Sequence, residues 1–136
     1  METATINFWA VLVSAVAYMA LGAIWYSPAL FGNAWMKGIG KTKEQITADF
    51  SPVSYFVAFA TSFLAAYGIA RIMLWMGGES IYDGVIVALL AGVCFVLTSL
   101  GVTDAFEKRP RSLSFINIFF HIVGFVIAGI IIGAWR

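Results

Sequence analysis

The sequence predicts an all-α integral membrane protein: a four-helix transmembrane bundle with both termini outside. Three observations predict it. The first is composition. The 136 residues are 62% hydrophobic and 11% charged, with a mean hydropathy of +0.94. Soluble domains run at about 45–50% apolar and about 25% charged, and a soluble chain this short leaves too much surface in water to hide so much apolar area. The second is the presence of four apolar stretches, each near the roughly 20 residues a spanning helix needs. The third is the placement of the basic residues, which sit in alternate loops. An ordinary soluble enzyme and a disordered chain are thereby excluded. Eight Lys and Arg against seven Asp and Glu leave no basic footprint for nucleic acid.

Each element follows in order. The N-terminus, Met1 to Thr5, carries no Lys or Arg, so no cleaved signal peptide is expected. The first span covers residues 6–26 and stops at Ser27-Pro28. The loop 28–51 follows. In it Leu30-Phe31-Gly32 and Ala34-Trp35-Met36 alternate with Asn33 and Lys37, the pattern of a segment lying in the membrane interface. Thr42 with Gln45 three residues later fits a capping box, which predicts a short helix from Lys43 to Asp49. Ser51 is placed to cap the second span, 52–76, with Pro52 at its first position. That span stops at Gly77-Gly78. The third covers 81–102 and the fourth 112–135. None shows the period-two alternation of a barrel strand. No linker divides the chain, so residues 1–136 form a single membrane domain.

Lys37, Lys41 and Lys43 fall in the first loop, and Lys108, Arg109 and Arg111 in the third. The second turn, Gly77 to Ser80, has none. Positive charge stays cytoplasmic, so the basic loops lie inside, the termini outside, and the expected location is the cell (inner) membrane. Arg136 alone opposes this. Trp9, Trp75 and Trp135 then mark the outer interface, and Trp25, Tyr26 and Trp35 the inner one.

Small residues are the usual means by which helices approach in lipid. The second span carries Ser54, Ala58, Thr61, Ala65 and Gly68 at three-to-four spacing. The third carries Gly84, Ala88, Ala91, Gly92 and Ser99. The fourth carries Gly129 and Gly133, four apart. These faces serve bundle packing or join two copies of the chain, and self-association through Gly129 and Gly133 is the expectation for so small a bundle.

Polar residues at depth are the stronger functional signal. Ser114, Asn117, His121 and Gly124 share one face of the fourth span. His121 lies about nine residues in, roughly 13 Å at 1.5 Å per residue, near the midplane. On the first span Ser14 and Tyr18 reach a similar depth. An ionisable group there is costly and points to function. Three readings stay open: a neutral histidine fixing helix register, a proton-handling group, or a metal or haem ligand. Tyr18, Ser14 and Asn117 are its candidate partners in a polar seam. Arg71, about five residues from the outer end of its span, is either an anchor, paired with Glu79 or Asp83, or a contact for a substrate anion. Cys94 is the single cysteine, so an intrachain disulfide and a Cys-rich zinc site are excluded. It reads as a small hydrophobe. Asp83, Asp104 and Glu107 sit at span boundaries, which weakens any analogy with small multidrug exporters that couple through a membrane-embedded acid. No phosphate loop, HExxH or Ser-His-Asp pattern occurs. No residue is assigned a catalytic or metal-ligating role, and the cofactor is unknown.

Two segments carry a resemblance. One is Gly22-Ala-Ile-Trp25-Tyr26-Ser27-Pro28-Ala-Leu30-Phe31-Gly32-Asn-Ala-Trp35-Met36. The other is Phe106-Glu107-Lys-Arg109-Pro110, followed by Ile116-Asn117 and His121. Together they resemble a widespread family of small bacterial membrane proteins defined only as a domain of unknown function. The resemblance covers most of the chain and implies the four-span fold, but no activity. Both segments fall at the inner face, where they form either a structural clasp between loops, with Glu107 and Arg109 as its salt bridge, or a vestibule leading to His121. The function expected first is a homo-oligomeric transporter or channel for a small solute or ion. Tyr18, Asn117 and His121 would line its seam, and Glu107 and Arg109 would guard its inner mouth. The alternatives are a non-catalytic accessory subunit of a larger membrane complex, and a membrane cofactor binder or enzyme using His121.

Overall fold

The computed structural model describes residues 5–136, all of whose regular elements are helical. The signal-peptide expectation rests mainly on residues 1–4, which lie outside the described residues. Helix α1 is Phe8–Trp25, opened by the Asn7 side chain, which accepts from the Trp9 and Ala10 amides. Helix α2, Gly32–Ile39, ends at Gly40, whose left-handed φ of 71° only glycine adopts cheaply. Helix α3, Lys43–Ala48, carries the expected Thr42–Gln45 capping box. Helix α4 is Pro52–Met76, with proline in its first turn and a left-handed Gly77 at its end. Ser51 stands at its N-cap position, but its side chain makes no cap bond. That part of the sequence reading is corrected: Pro52 alone marks the start.

Helix α5 is Ile81–Ala91, opened by a capping box of Ser80 and Asp83. It passes into a π-helical stretch, Gly92–Leu97, and then into α6, Thr98–Phe106. Helix α7 is Arg111–Ala134. Four helical runs are long and apolar enough to cross a membrane: α1, α4, Ile81–Phe106 and α7. The third runs four residues past its expected end at Val102, because no proline interrupts it before Pro110 and the chain turns only at Lys108, with φ 58°.

The first turn of α1 and the last of α7 meet at one end of the bundle, where Asn7 donates through Nδ2 to the Trp135 carbonyl at 3.2 Å. The core sits at this same end. Val11 and Ala10 of α1, Ala66, Ile69 and Met73 of α4, Val87 and Ala88 of α5, and Ala128 and Ile132 of α7 close on one another. The tightest crossing is between α5 and α7. A Cβ on Gly84 would overlap the Gly129 carbonyl, one on Gly129 would overlap the Gly84 carbonyl, and one on Gly133 would meet the Ser80 carbonyl at 2.5 Å. Lipid tails are as apolar as leucine, so burying hydrocarbon gains little between helices, and such backbone approach supplies the van der Waals contact instead. Gly129 and Gly133 are therefore buried within one chain. This corrects the expectation that their face joins two copies.

The α4 stripe also differs from its reading. Ser54, Ala58 and Thr61 are exposed, while Ser62, Ala66, Ile69, Ala70 and Met73 face the bundle. In the third span Gly84, Ala88 and Gly92 are buried as one row, but Ser99 is exposed. The π-helical stretch takes more residues per turn and so rotates α6 out of phase with α5.

Replacing Gly129 by alanine is expected to cost about 1–3 kcal/mol, the usual range for overpacking. Gly68, where a Cβ meets nothing within 4 Å, is expected to accept alanine within about 0.5 kcal/mol. Thermal unfolding of both variants in the same detergent checks the contrast.

Candidate functional site

Helices α1 and α7 run against each other from the core to the opposite end of the bundle, where the loops 27–51 and 107–110 lie. Their seam is built from polar and aromatic side chains. The Tyr18 hydroxyl is hydrogen-bonded to Nδ1 of His121. Tyr18 is buried, and its ring lies directly on Gly124, where a Cβ would overlap the Tyr18 ring carbons. One turn of α7 thus holds Tyr18 twice: His121 takes the hydroxyl and Gly124 admits the ring. With Tyr18 as donor, the neutral imidazole carries its own proton on Nε2.

Nearer the loops the Tyr26 hydroxyl donates to Oδ1 of Asn117 at 2.8 Å, and the Trp25 indole N–H donates to the Ile116 carbonyl at 3.0 Å. Phe120 stands between the two polar pairs. Its ring lies edge-on to Tyr18 and to Tyr26, both at 5.2 Å between centroids, and 5.0 Å from His121. The Trp25–Trp35 segment folds back on this seam. Ser27 Oγ donates to the Ile24 carbonyl at 2.6 Å, and Pro28 follows where the helix has ended. Phe31 packs on Trp25 at 4.7 Å and Trp35 on Tyr26 at 5.2 Å. Gly32 is buried against the turn, where a Cβ would meet the Tyr26 carbonyl at 2.5 Å.

On its other side the Tyr18–His121 pair faces a cleft of about 470 Å³. The cleft exists because α4 packs on α5 near the core but little on α6, so α4 and α6 part toward the loop end. Thr61, Ser62 and Ala65 of α4 form one wall. Val96, Ser99 and Leu100 form the other, across the rotation introduced by the π-helical stretch. The Ser62 hydroxyl donates to the Ala58 carbonyl at 2.6 Å, and Thr61 to Val57 at 2.7 Å. Both oxygens keep lone pairs free to accept. The cleft is therefore an apolar volume with a phenol–imidazole pair at its floor and hydroxyl oxygens on its walls. Among the described residues no three His, Cys, Asp or Glu side chains come together.

The predicted seam is thus brought together in part. Tyr18 and His121 pair directly. Asn117 belongs to a second pair with Tyr26. Ser14 is fully buried, but its hydroxyl donates to the Ala10 carbonyl of its own helix at 2.7 Å, so it does not join His121. Arg109 bonds Glu107 at 2.7 Å and lies 3.6 Å from Asp104. The Glu107 carboxylate holds this guanidinium charged well into the basic range. That cluster is local to the α6–α7 turn and ties no two loops together; the first loop is joined to α7 by Tyr26 and Trp25 instead. Arg109 lines a different groove from the one that holds His121, so Glu107 and Arg109 guard no mouth of this cleft. Arg71 meets neither Glu79 nor Asp83. Asp83 is occupied by Ser80 and the Glu79 amide, and the Arg71 guanidinium lies over the Trp75 ring at 5.3 Å. Thr61, Ser62 and Phe120 were not singled out as site residues. In the sequence Thr61 stands only in a small-residue stripe, and nothing about the spacing of Ser62 or Phe120 sets either apart from its neighbours.

A model of the family described as "Protein of unknown function (DUF1761)" matches residues 9–133, and the chain belongs to that family. No curated protein and no solved structure matches it.

Removing the Tyr18 hydroxyl as Tyr18→Phe is expected to cost about 1 kcal/mol, the scale of a hydrogen bond between helices in lipid. Gly124→Ala is expected to cost more, because the added methyl displaces the whole ring. Unfolding of both variants in mixed micelles ranks them; equal costs would contradict the packing described.

Proposed function

We propose that this member of the family is a small membrane carrier or channel for a small solute or ion, and that its site is the cleft floored by Tyr18 and His121. The observation that carries the reading is the open side of that pair. A histidine serving only helix register would be enclosed by its neighbours. Here it is only half-buried and borders about 470 Å³ of space at mid-helix depth. Intramembrane ionisable groups are expensive and typically face a pathway or a partner; His121 has a partner in Tyr18 and also borders the cleft. Tyr18 and His121 bind or relay through a phenol hydroxyl and an imidazole, and Thr61 and Ser62 accept hydrogen bonds from whatever occupies the cleft.

In the proposed orientation the basic loops are cytoplasmic, following the positive-inside rule. The cleft would then open along the parting of α4 and α6 toward the cytoplasm, with the packed core on its other side. This arrangement is one state of an alternating path, or one half of a pore completed by a second copy along the exposed faces of α4 and α6.

Two measurements test the proposal. In proteoliposomes screened with protons, small inorganic ions and small organic solutes, at least one is expected to cross, and His121→Ala is expected to reduce that flux at least tenfold while the protein stays folded. Flux unaffected by His121→Ala contradicts the role. In a Cys94→Ser background, Ser99→Cys is expected to react with a charged, water-soluble thiol reagent added from the basic-loop side. A fixed heteromeric mass or a stoichiometric bound cofactor on gentle extraction would instead place the chain among accessory subunits or cofactor binders.

A further inference from the structure

A second cavity lies on the opposite side of α6, separate from the cleft that holds His121. It is a groove of about 640 Å³ between α6 and α7. Its length is apolar, with Leu97, Ile118 and Phe119 along the walls and Gly101 and Ala105 leaving its floor open. At the loop end it is closed by Lys108, Arg109 and Arg111 above Asp104. These charges are not equivalent. Arg109 is engaged by Glu107 and Asp104. Lys108 and Arg111 have no carboxylate within 4.0 Å among the described residues. Two unneutralised cations therefore stand at the head of an apolar trough, at the end of two membrane-spanning helices.

We propose that this groove binds one anionic phospholipid, its phosphate between Lys108 and Arg111 and one acyl chain along Leu97, Ile118 and Phe119. Charge complementarity selects an anionic headgroup over a zwitterionic one, because the net charge of the side chains around it is positive and a choline would bring a competing cation. The trough selects a lipid over a free phosphate ester, which would leave the apolar walls unused. Basic pockets between helices at the headgroup level are a recurring form of lipid recognition. The Ser114 hydroxyl, also in the groove lining, is an additional donor for the phosphate oxygens.

The test is native mass spectrometry of the full chain in detergent, titrated with phosphatidylglycerol, phosphatidylcholine or glycerol 3-phosphate. One phosphatidylglycerol is expected to bind at least fivefold more tightly than phosphatidylcholine, and glycerol 3-phosphate is expected not to be retained. The double variant Lys108→Gln with Arg111→Gln is expected to lose the preference, whereas Lys41→Gln with Lys43→Gln keeps it. Gly101→Phe supplies an independent arm. A Cβ at Gly101 meets nothing within 4 Å, so the position admits a side chain whose ring would occupy the trough, and bound lipid is expected to fall with both cations still present while thermal unfolding stays near that of the parent. Equal binding of the two lipids, retention of the preference in the Lys108–Arg111 variant, or undiminished binding in Gly101→Phe would overturn the assignment. Glycerol 3-phosphate binding as tightly as phosphatidylglycerol would overturn the lipid and leave an anion site.

Discussion

The structure depends on how closely other elements approach α7. Three glycines on that helix set the distances. Gly129 and Gly133 let α5 come to backbone contact, and Gly124 lets the Tyr18 ring lie on the helix surface. Within a bilayer, burying apolar surface between helices gains little, because lipid offers the same contacts. Shape and hydrogen bonding then decide which faces meet. A side chain at any of the three positions would push α7 away from a neighbour and loosen the core that Ala10, Val11, Ala66 and Ala88 complete.

This packing is uneven along the bundle, and the unevenness makes the site. At the terminal end the helices are locked by small residues. Toward the loops α4 and α6 separate, while α1 stays on α7 through Tyr18–His121, Tyr26–Asn117 and Trp25–Ile116. Each of these bonds pairs a side-chain donor on α1 or its cap with an acceptor on α7, so few polar atoms along the seam are left without a partner. The same bonds that hold α1 in place thus present a phenol and an imidazole to the cleft. The residues that hold α1 on α7 also line the cleft, so a Tyr18 variant changes the stability of the bundle and the cleft floor together.

Much of this was legible in the chain. The four spans follow from apolar length, and several of their ends from Ser27-Pro28, Pro52 and Gly77-Gly78, whereas the third runs four residues past its expected end. Counting depth from the helix ends put Tyr18 among three candidate partners of His121, with Ser14 and Asn117, because a transmembrane helix rises by a fixed step; depth alone did not choose among them. The same counting did not find Tyr26 as the partner of Asn117, since Tyr26 lies beyond the helix end and depth there depends on how the chain turns. The Gly129–Gly133 pair announced a close crossing but not its partner; a small face fits a second copy as well as α5. The π-helical stretch was illegible because residues 85–97 hold almost no polar side chains, so no periodicity exists from which an extra residue in the turn could be counted. With that rotation unseen, the position of Ser99 on the cleft wall was out of reach, and so was the groove on the far side of α6.

His121 is the chain's only histidine, which makes one measurement unusually direct. Protein labelled with nitrogen-15 at histidine and placed in lipid gives a single imidazole spectrum, assigned without further variants. The expected result is a hydrogen-bonded Nδ1 whose shift moves in Tyr18→Phe, stays in place in Tyr26→Phe, and broadens when a water-soluble paramagnetic agent is added. An imidazole that ignores the loss of the Tyr18 hydroxyl, or that no aqueous agent reaches, would contradict the pair and its open cleft together.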